Sequence, residues 1–333
     1  MILRLLAVLL LPLAAACDTV SYYSQAIGGH LEIVGAARPV ADWLADPATS
    51  PELRSRLELA RRIREFASRR LALPENRSYS SYAELGRPFV VWNVFAAPQF
   101  SVEPKKECFP FTGCVSYRGF YSEQDAHRHA ARLKAEGYDV YVAGVPAYST
   151  LGWFDDPLLS TFIRFPEAQL ARIVFHELAH QVVYARDDTA FNESFAVAVE
   201  REGVRRWLEA EGHAEELRAF YGMQARRQQY ADEVKATRAR LAALYGEKDV
   251  SRERLLSVKR EEFDKLRAKY PKAVPEEASN AFLVSIALYT ELVPQFEQLL
   301  AESGSLQAFY DKVKALAKSG KRLKPPGPAA ALP

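Results

Sequence analysis

Apolar positions fall at helical spacing over most of this chain and give way, in one middle stretch, to short runs of β-forming residues. Ser50-Pro51-Glu52 offers a cap, a first-turn proline and a first-turn acid, and Leu53, Leu57, Leu59, Ile63 and Phe66 then fall mainly on one side. Helix is expected over 39–71, after a short apolar lead at 22–34. Strands are expected at 88–95, 115–121 and 138–145, with a helix over 123–137 that its glycine ends. From Pro166 onward the pattern is helical. Over 214–244 the apolar stripe is Val234, Thr237, Leu241 and Leu244; after Gly246 and Ser251 a second charged helix carries Leu255, Val258, Phe263, Leu266 and Tyr270. These two read as a hairpin with solvated charged faces, and 280–300 as a more apolar, buried helix. The expected fold class is α+β and predominantly α-helical. Its parts are a helical segment at 17–87, a mixed α+β region at 88–165 with an edge strand, and a helical half. In that half, two helices span 166–210, the region with the hairpin spans 211–319, and a proline-rich disordered tail follows at 320–333.

Composition narrows the class. With 333 residues, 49% hydrophobic and 26% charged, the chain can fill a core and is too apolar to be largely disordered. The 44 Lys+Arg against 42 Asp+Glu leave a net charge of +2, which gives no reason to expect a nucleic-acid partner. At the start, Arg4 precedes an apolar run, Leu5–Ala16, shorter than the roughly 20 residues of a membrane span and therefore read as a signal peptide over 1–16. It ends in Ala14-Ala15-Ala16-Cys17, which resembles the bacterial lipobox and implies Cys17 as a lipidated N-terminus; an ordinary secretory cut after Ala14 or Ala16 is the alternative. By resemblance to enterobacterial lipoproteins, Asp18 implies retention at the periplasmic face of the inner membrane. Cys108 and Cys114 then remain in an oxidising compartment on either side of a Pro- and Gly-containing turn, where a short-loop disulfide is expected. Metal ligation by that pair is the other reading, though no second pair completes a thiolate site.

The chemistry concentrates in His176-Glu177-Leu178-Ala179-His180. Residues four apart stand one turn above each other, so both imidazoles can hold one metal ion with Glu177 beside it, the H-E-x-x-H zinc pattern. Downstream, Asn192-Glu193-Ser194-Phe195-Ala196 resembles the N-E-G-F-A segment of gluzincin metallopeptidases, whose Glu completes a His-His-Glu zinc site. That resemblance places Glu193 as the third ligand and Glu200 at a further acidic position; Ser194 stands where Gly is usual, and only 12 residues lie between His180 and Glu193. Gly144–Pro157 together with both motifs resembles a bacterial family of predicted aminopeptidases over most of 17–300, implying a zincin-like metallopeptidase.

From this follows one Zn2+ per chain with a position left for water, and Glu177 moving the water's proton to the leaving amine. Glu200 either accepts a ligating histidine's N–H or forms a surface salt bridge. Tyr289 is the first candidate for stabilising the oxyanion and Tyr148 the second, with packing as the plainer role for both. The stretch 144–150 is expected to be an edge strand, open to an extended peptide or engaged in ordinary pairing. The function read is a zinc-dependent peptide hydrolase of the cell envelope, an aminopeptidase by family resemblance, with a peptide as substrate and a lipid anchor through Cys17. A zinc endopeptidase is one alternative, because the amine-binding G-x-M-E-N segment is absent. A non-enzymatic envelope lipoprotein on the same scaffold is the other.

Overall fold

Proline and glycine decide where the elements of this chain stop. The computed structural model describes residues 22–109 and 113–319; the expected signal segment 1–16, Cys17 and the tail 320–333 lie outside the described residues. The apolar lead is a helix, α1, over 22–36. A Cβ on Gly29 would come within 2.3 Å of the Tyr121 ring, so this helix forms against tertiary structure that local spacing does not reveal. The helix expected over 39–71 is two helices, α2 (Val40–Ala45) and α3 (Pro51–Leu71), preceded by the two-residue strand β1 (Arg38–Pro39). Between them Pro47 has no N–H to continue the ladder, and the Asp46 carboxylate accepts the Ala48 N–H instead. The Ser50 hydroxyl accepts the Leu53 N–H at 3.2 Å, and Leu53, Leu57, Ile63, Ala67 and Leu71 are buried on one side.

The middle strands are β2 (Ser81–Ala83), β3 (Val91–Pro98), β4 (Glu107–Phe109), β5 (Gly113–Val115), β6 (Arg118–Phe120), β7 (Tyr138–Val145) and β8 (Leu158–Leu159), with α4 (Glu123–Ala135) before β7. The single strand expected at 115–121 is thus two short ones. β5 returns on β4, where Cys108 pairs with Cys114 through a disulfide, and β6 joins β3. The main sheet is antiparallel in the order β6-β3-β7, and β2 pairs β1 on one side and β8, in parallel, on the other. β3 shows the period of two: Trp92, Val94 and Ala96 pack on Ala126, Ala130 and Leu133 of α4, whereas Phe95 and Ala97 face the opposite side. β7 is an edge strand, but it ends at Val145 rather than reaching Thr150, because Pro146 cannot donate to a ladder.

The helical half comprises α5 (Glu167–Val182), α6 (Thr189–Ala210), α7 (Ala214–Gly246), α8 (Arg252–Lys269), α9 (Asn280–Thr290), α10 (Val293–Ala301) and α11 (Leu306–Ser319). The buried helix expected over 280–300 is α9 plus α10, broken where Pro294 stands in the first turn of α10. Helices α5 and α6 run antiparallel in close contact: Trp207 Nε1 donates to Glu167 at 2.8 Å, and a Cβ on Gly203 would lie 2.7 Å from Phe175. α9 covers the second face of the sheet with Ala281, Val284 and Leu288. The α7–α8 hairpin forms as read, with Val234, Thr237 and Leu241 buried against Phe263 and Leu266. Its charged face is not wholly solvated: Lys259 is buried on Asp139, and Glu262 on Arg240 at 2.6 Å. Among the described residues no helix is long and apolar enough to cross a membrane.

Candidate metal centre

Antiparallel packing of α5 on α6 brings the two sequence motifs face to face. His176 and His180, one turn apart on α5, meet Glu193 in the first turns of α6, and His176 also meets Glu200 two turns further on. The connection can be short because Asn192 closes it. Its side chain accepts the Ala185 N–H at 2.7 Å and donates to the Ala185 carbonyl at 2.8 Å, while Asp188 caps α6 through the Phe191 N–H. Ser194, in the place of the usual glycine, accepts the Leu292 N–H at 3.2 Å and so ties α6 to the break between α9 and α10.

The Nε2 atoms of His176 and His180 lie 3.2 Å apart, and Glu193 Oε2 is 3.3 Å from the first and 3.6 Å from the second. Donors about 2.1 Å from one ion at tetrahedral angles are about 3.4 Å from each other, so the donor set fits a four-coordinate cation. Two facing ring nitrogens can share at most one proton, whereas a cation engages both lone pairs and the carboxylate. The group could hold a metal ion. Glu200 accepts from His176 Nδ1 at 2.9 Å, which leaves Nε2 as the donor atom towards the centre, and Arg172 at 3.2 Å keeps Glu200 charged. The salt bridge read for Glu200 therefore exists, but it is buried and accompanies the histidine contact.

Charge and burial compete at every group. Burial opposes ionisation of Glu193, yet the imidazoles beside it outweigh this and hold its carboxyl down at about 2. Burial likewise opposes a proton on His176, and the Glu193 and Glu200 carboxylates overturn it, to about 10. Glu177 behaves differently: burial raises its carboxyl and the two histidines only moderate the rise. It remains partly exposed, to two cavities that meet at the centre and share Val145, Ala147, His176, Glu177 and Tyr289.

Residues 21–324 match the family model described as "Putative aminopeptidase". The chain belongs to this family. Membership supports peptidase function in general. No curated protein and no solved structure matches the chain.

In this family member Tyr289 is brought to the centre, its ring 6.5 Å from that of His176 and 28° from parallel. Burial, and then the Glu193 carboxylate, hold its hydroxyl well above the usual phenol range, so it stays a neutral donor. Tyr148 lines one of the cavities, but its hydroxyl is engaged by His30 Nδ1 at 2.8 Å. Sequence reasoning passed over Tyr117, which lines the same cavity as Glu193 and Glu177, and whose hydroxyl is raised first by burial and then by those two carboxylates. Nothing in its local spacing marks it, because its partners all come from distant segments. Arg172 stands in the motif helix, and its place beside Glu200 follows from their similar distances from the connection between the two paired helices.

Proposed function

We propose that this chain is a zinc-dependent peptide hydrolase of the gluzincin type on a zincin-like fold, an aminopeptidase working in the cell envelope from a lipid anchor at Cys17. One observation carries the reading: ligand atoms of His176, His180 and Glu193 lie within 4.8 Å of one another, and Glu177 borders them at the meeting point of two cavities. Two imidazoles and a carboxylate suit zinc best among common divalent ions. The family description supports the aminopeptidase, and the apolar run ending in Cys17 supports export to the periplasmic face of the inner membrane.

Bound there, zinc supplies Lewis-acid polarisation of the scissile carbonyl and of a water. Glu177, with its raised carboxyl, takes the water's proton and hands it to the leaving amine. Glu200 fixes the tautomer and orientation of His176. Tyr289 donates its hydroxyl proton in a hydrogen bond to the developing oxyanion. The peptide lies extended past Val145 and Ala147, at the end of the edge strand, which border both cavities.

Metal content and hydrolysis of paired free-amine and N-blocked peptides test this on the mature chain. Wild type is expected to hold one zinc and to cleave only free-amine peptides. Glu193→Ala is expected to lose the metal, and Glu177→Gln to keep it while kcat falls about 10²–10⁴-fold. Cleavage of blocked peptides would move the reading to an endopeptidase, and a wild type that takes up no zinc would end it.

A further inference from the structure

The two cavities at the centre differ in chemistry. One is walled by tyrosines, among them Tyr117 and Tyr148. The other is walled by α7, where Gln224, Arg227 and Tyr230 follow each other at intervals of three and so share a face. Arg172 and Arg201 border it as well, but Arg172 is committed to Glu200 at 3.2 Å and Arg201 to Glu297 at 2.8 Å. Arg227 has no hydrogen-bond or ion-pair partner among the described residues. Nor has the Gln224 Nε2 or the Tyr230 hydroxyl, and both of these atoms are buried. A buried donor without an acceptor costs about 1–3 kcal/mol, and the Gln224 amide and Tyr230 hydroxyl stand so on either side of Arg227, which is itself exposed at the cavity wall. The Glu177 and Glu200 carboxylates border the same space, but Glu200 is engaged by Arg172 and His176 and reaches Arg227 only from beyond ion-pair distance, so the Arg227 guanidinium fork is open to an anion.

We propose that Arg227, on the α7 wall of this cavity, binds the free α-carboxylate of short peptides and sets this specificity. The inference rests on the peptidase reading. A carboxylate offers the two parallel acceptors that a guanidinium fork matches. Because this cavity also holds His176 and Glu177, only a short stretch fits between the scissile bond and the C-terminus, and the N-terminal residue lies among the tyrosines.

Peptides of one sequence, as free acid and as C-terminal amide, are compared on the zinc-loaded protein. The acid should have the lower KM by about 10–100-fold, the worth of a charged hydrogen bond, with kcat little different. Arg227→Gln should bring the acid-to-amide ratio of KM near one, and Arg227→Lys should restore part of it. Equal KM for acid and amide in wild type, or a preference that survives Arg227→Gln, overturns the proposal. If neither peptide is cleaved, the peptidase reading fails on its own account. Calorimetric titration of both peptides into the zinc-loaded Glu177→Gln chain still decides the subsite: acid bound and amide not upholds it, and equal or no binding overturns it.

A separate observation concerns α1. Ile27, Leu31 and Val34, at helical spacing on one face, are 58%, 61% and 42% exposed, and beside them Trp153 and Phe154 are 83% and 55% exposed. The His30 and Phe154 rings, 4.5 Å apart, join the two groups. Isolated exposed apolar residues need no explanation, but a contiguous set of this size marks a contact surface. Five residues of chain reach at most about 17 Å, so a lipid on Cys17 would hold α1, which the structure describes from 22, at the bilayer surface. We infer that this face rests in the phospholipid interface, a proposal that depends on the Cys17 anchor. The mature chain reconstituted in vesicles with brominated acyl chains should show quenched tryptophan fluorescence. Most of that quenching should vanish in Trp153→Phe and weaken in Leu31→Asp. No quenching, or quenching indifferent to Trp153, overturns it.

Discussion

Asp156 shows what a single buried residue costs. One carboxylate oxygen accepts the Thr150 N–H at 2.9 Å and the other has no partner among the described residues. Burial raises its carboxyl to about 6, only partly offset by Thr150, with the Glu177 charge adding to the rise. For a carboxyl with a raised folded pKa, the stability it contributes is full below the unfolded value near 3.8 and is lost as pH rises through 6. Asp156→Asn should therefore raise stability at pH 7.5 by up to about 3 kcal/mol and make little difference at pH 4. Thermal melts at the two pH values check this; an equal shift at both would rule out ionisation as the cause. At this scale the candidate donor pair was legible, since one turn of helix puts His176 over His180 whatever surrounds them. Tyr117 and the buried state of Asp156 were not, because their neighbours are set by distant segments.

At the scale of elements, Asn192 does for the α5–α6 connection what a longer loop would otherwise do. Both its hydrogen bonds go to the Ala185 backbone, and the residue after it carries the third candidate ligand. Asn192→Ala leaves the buried Ala185 N–H unmatched and its carbonyl with only the Asp188 N–H at 3.4 Å, so the chain should lose about 1–3 kcal/mol in urea unfolding. On the proposed zinc reading, affinity for the ion, read by chelator competition, should fall about 10–100-fold as Glu193 loses its support. An unchanged melt with unchanged affinity would show the loop is held by other means. Element types were read correctly over 51–71, 123–137 and 138–145, where periodicity and caps agree. Three of the misplaced ends share one cause. Pro47, Pro146 and Pro294 interrupt runs whose apolar spacing continues across them, so hydrophobic pattern alone carries the element past the break.

Across the whole molecule, the hairpin and the site are linked through the sheet. Lys259 of α8 donates to Asp139 of β7 and to the Gln99 carbonyl, and Asp139 also accepts the Asn280 N–H that opens α9. α9 in turn sets Tyr289 against His176, so a charge that looked like one more solvated position on α8 helps locate a residue of the centre. What the sequence determined by itself is local: the helices, the two motifs and the types of candidate donor, because an α-helix places residues three and four apart on one face without outside help. Only the tertiary structure decided that α5 and α6 meet in the register that pairs His176 with Glu200, that Tyr289 and Tyr117 line the site, and that Arg227 of α7 lies on the wall of its cavity. Those contacts join segments tens to more than a hundred residues apart, and no local period encodes a distance between elements that only packing brings together.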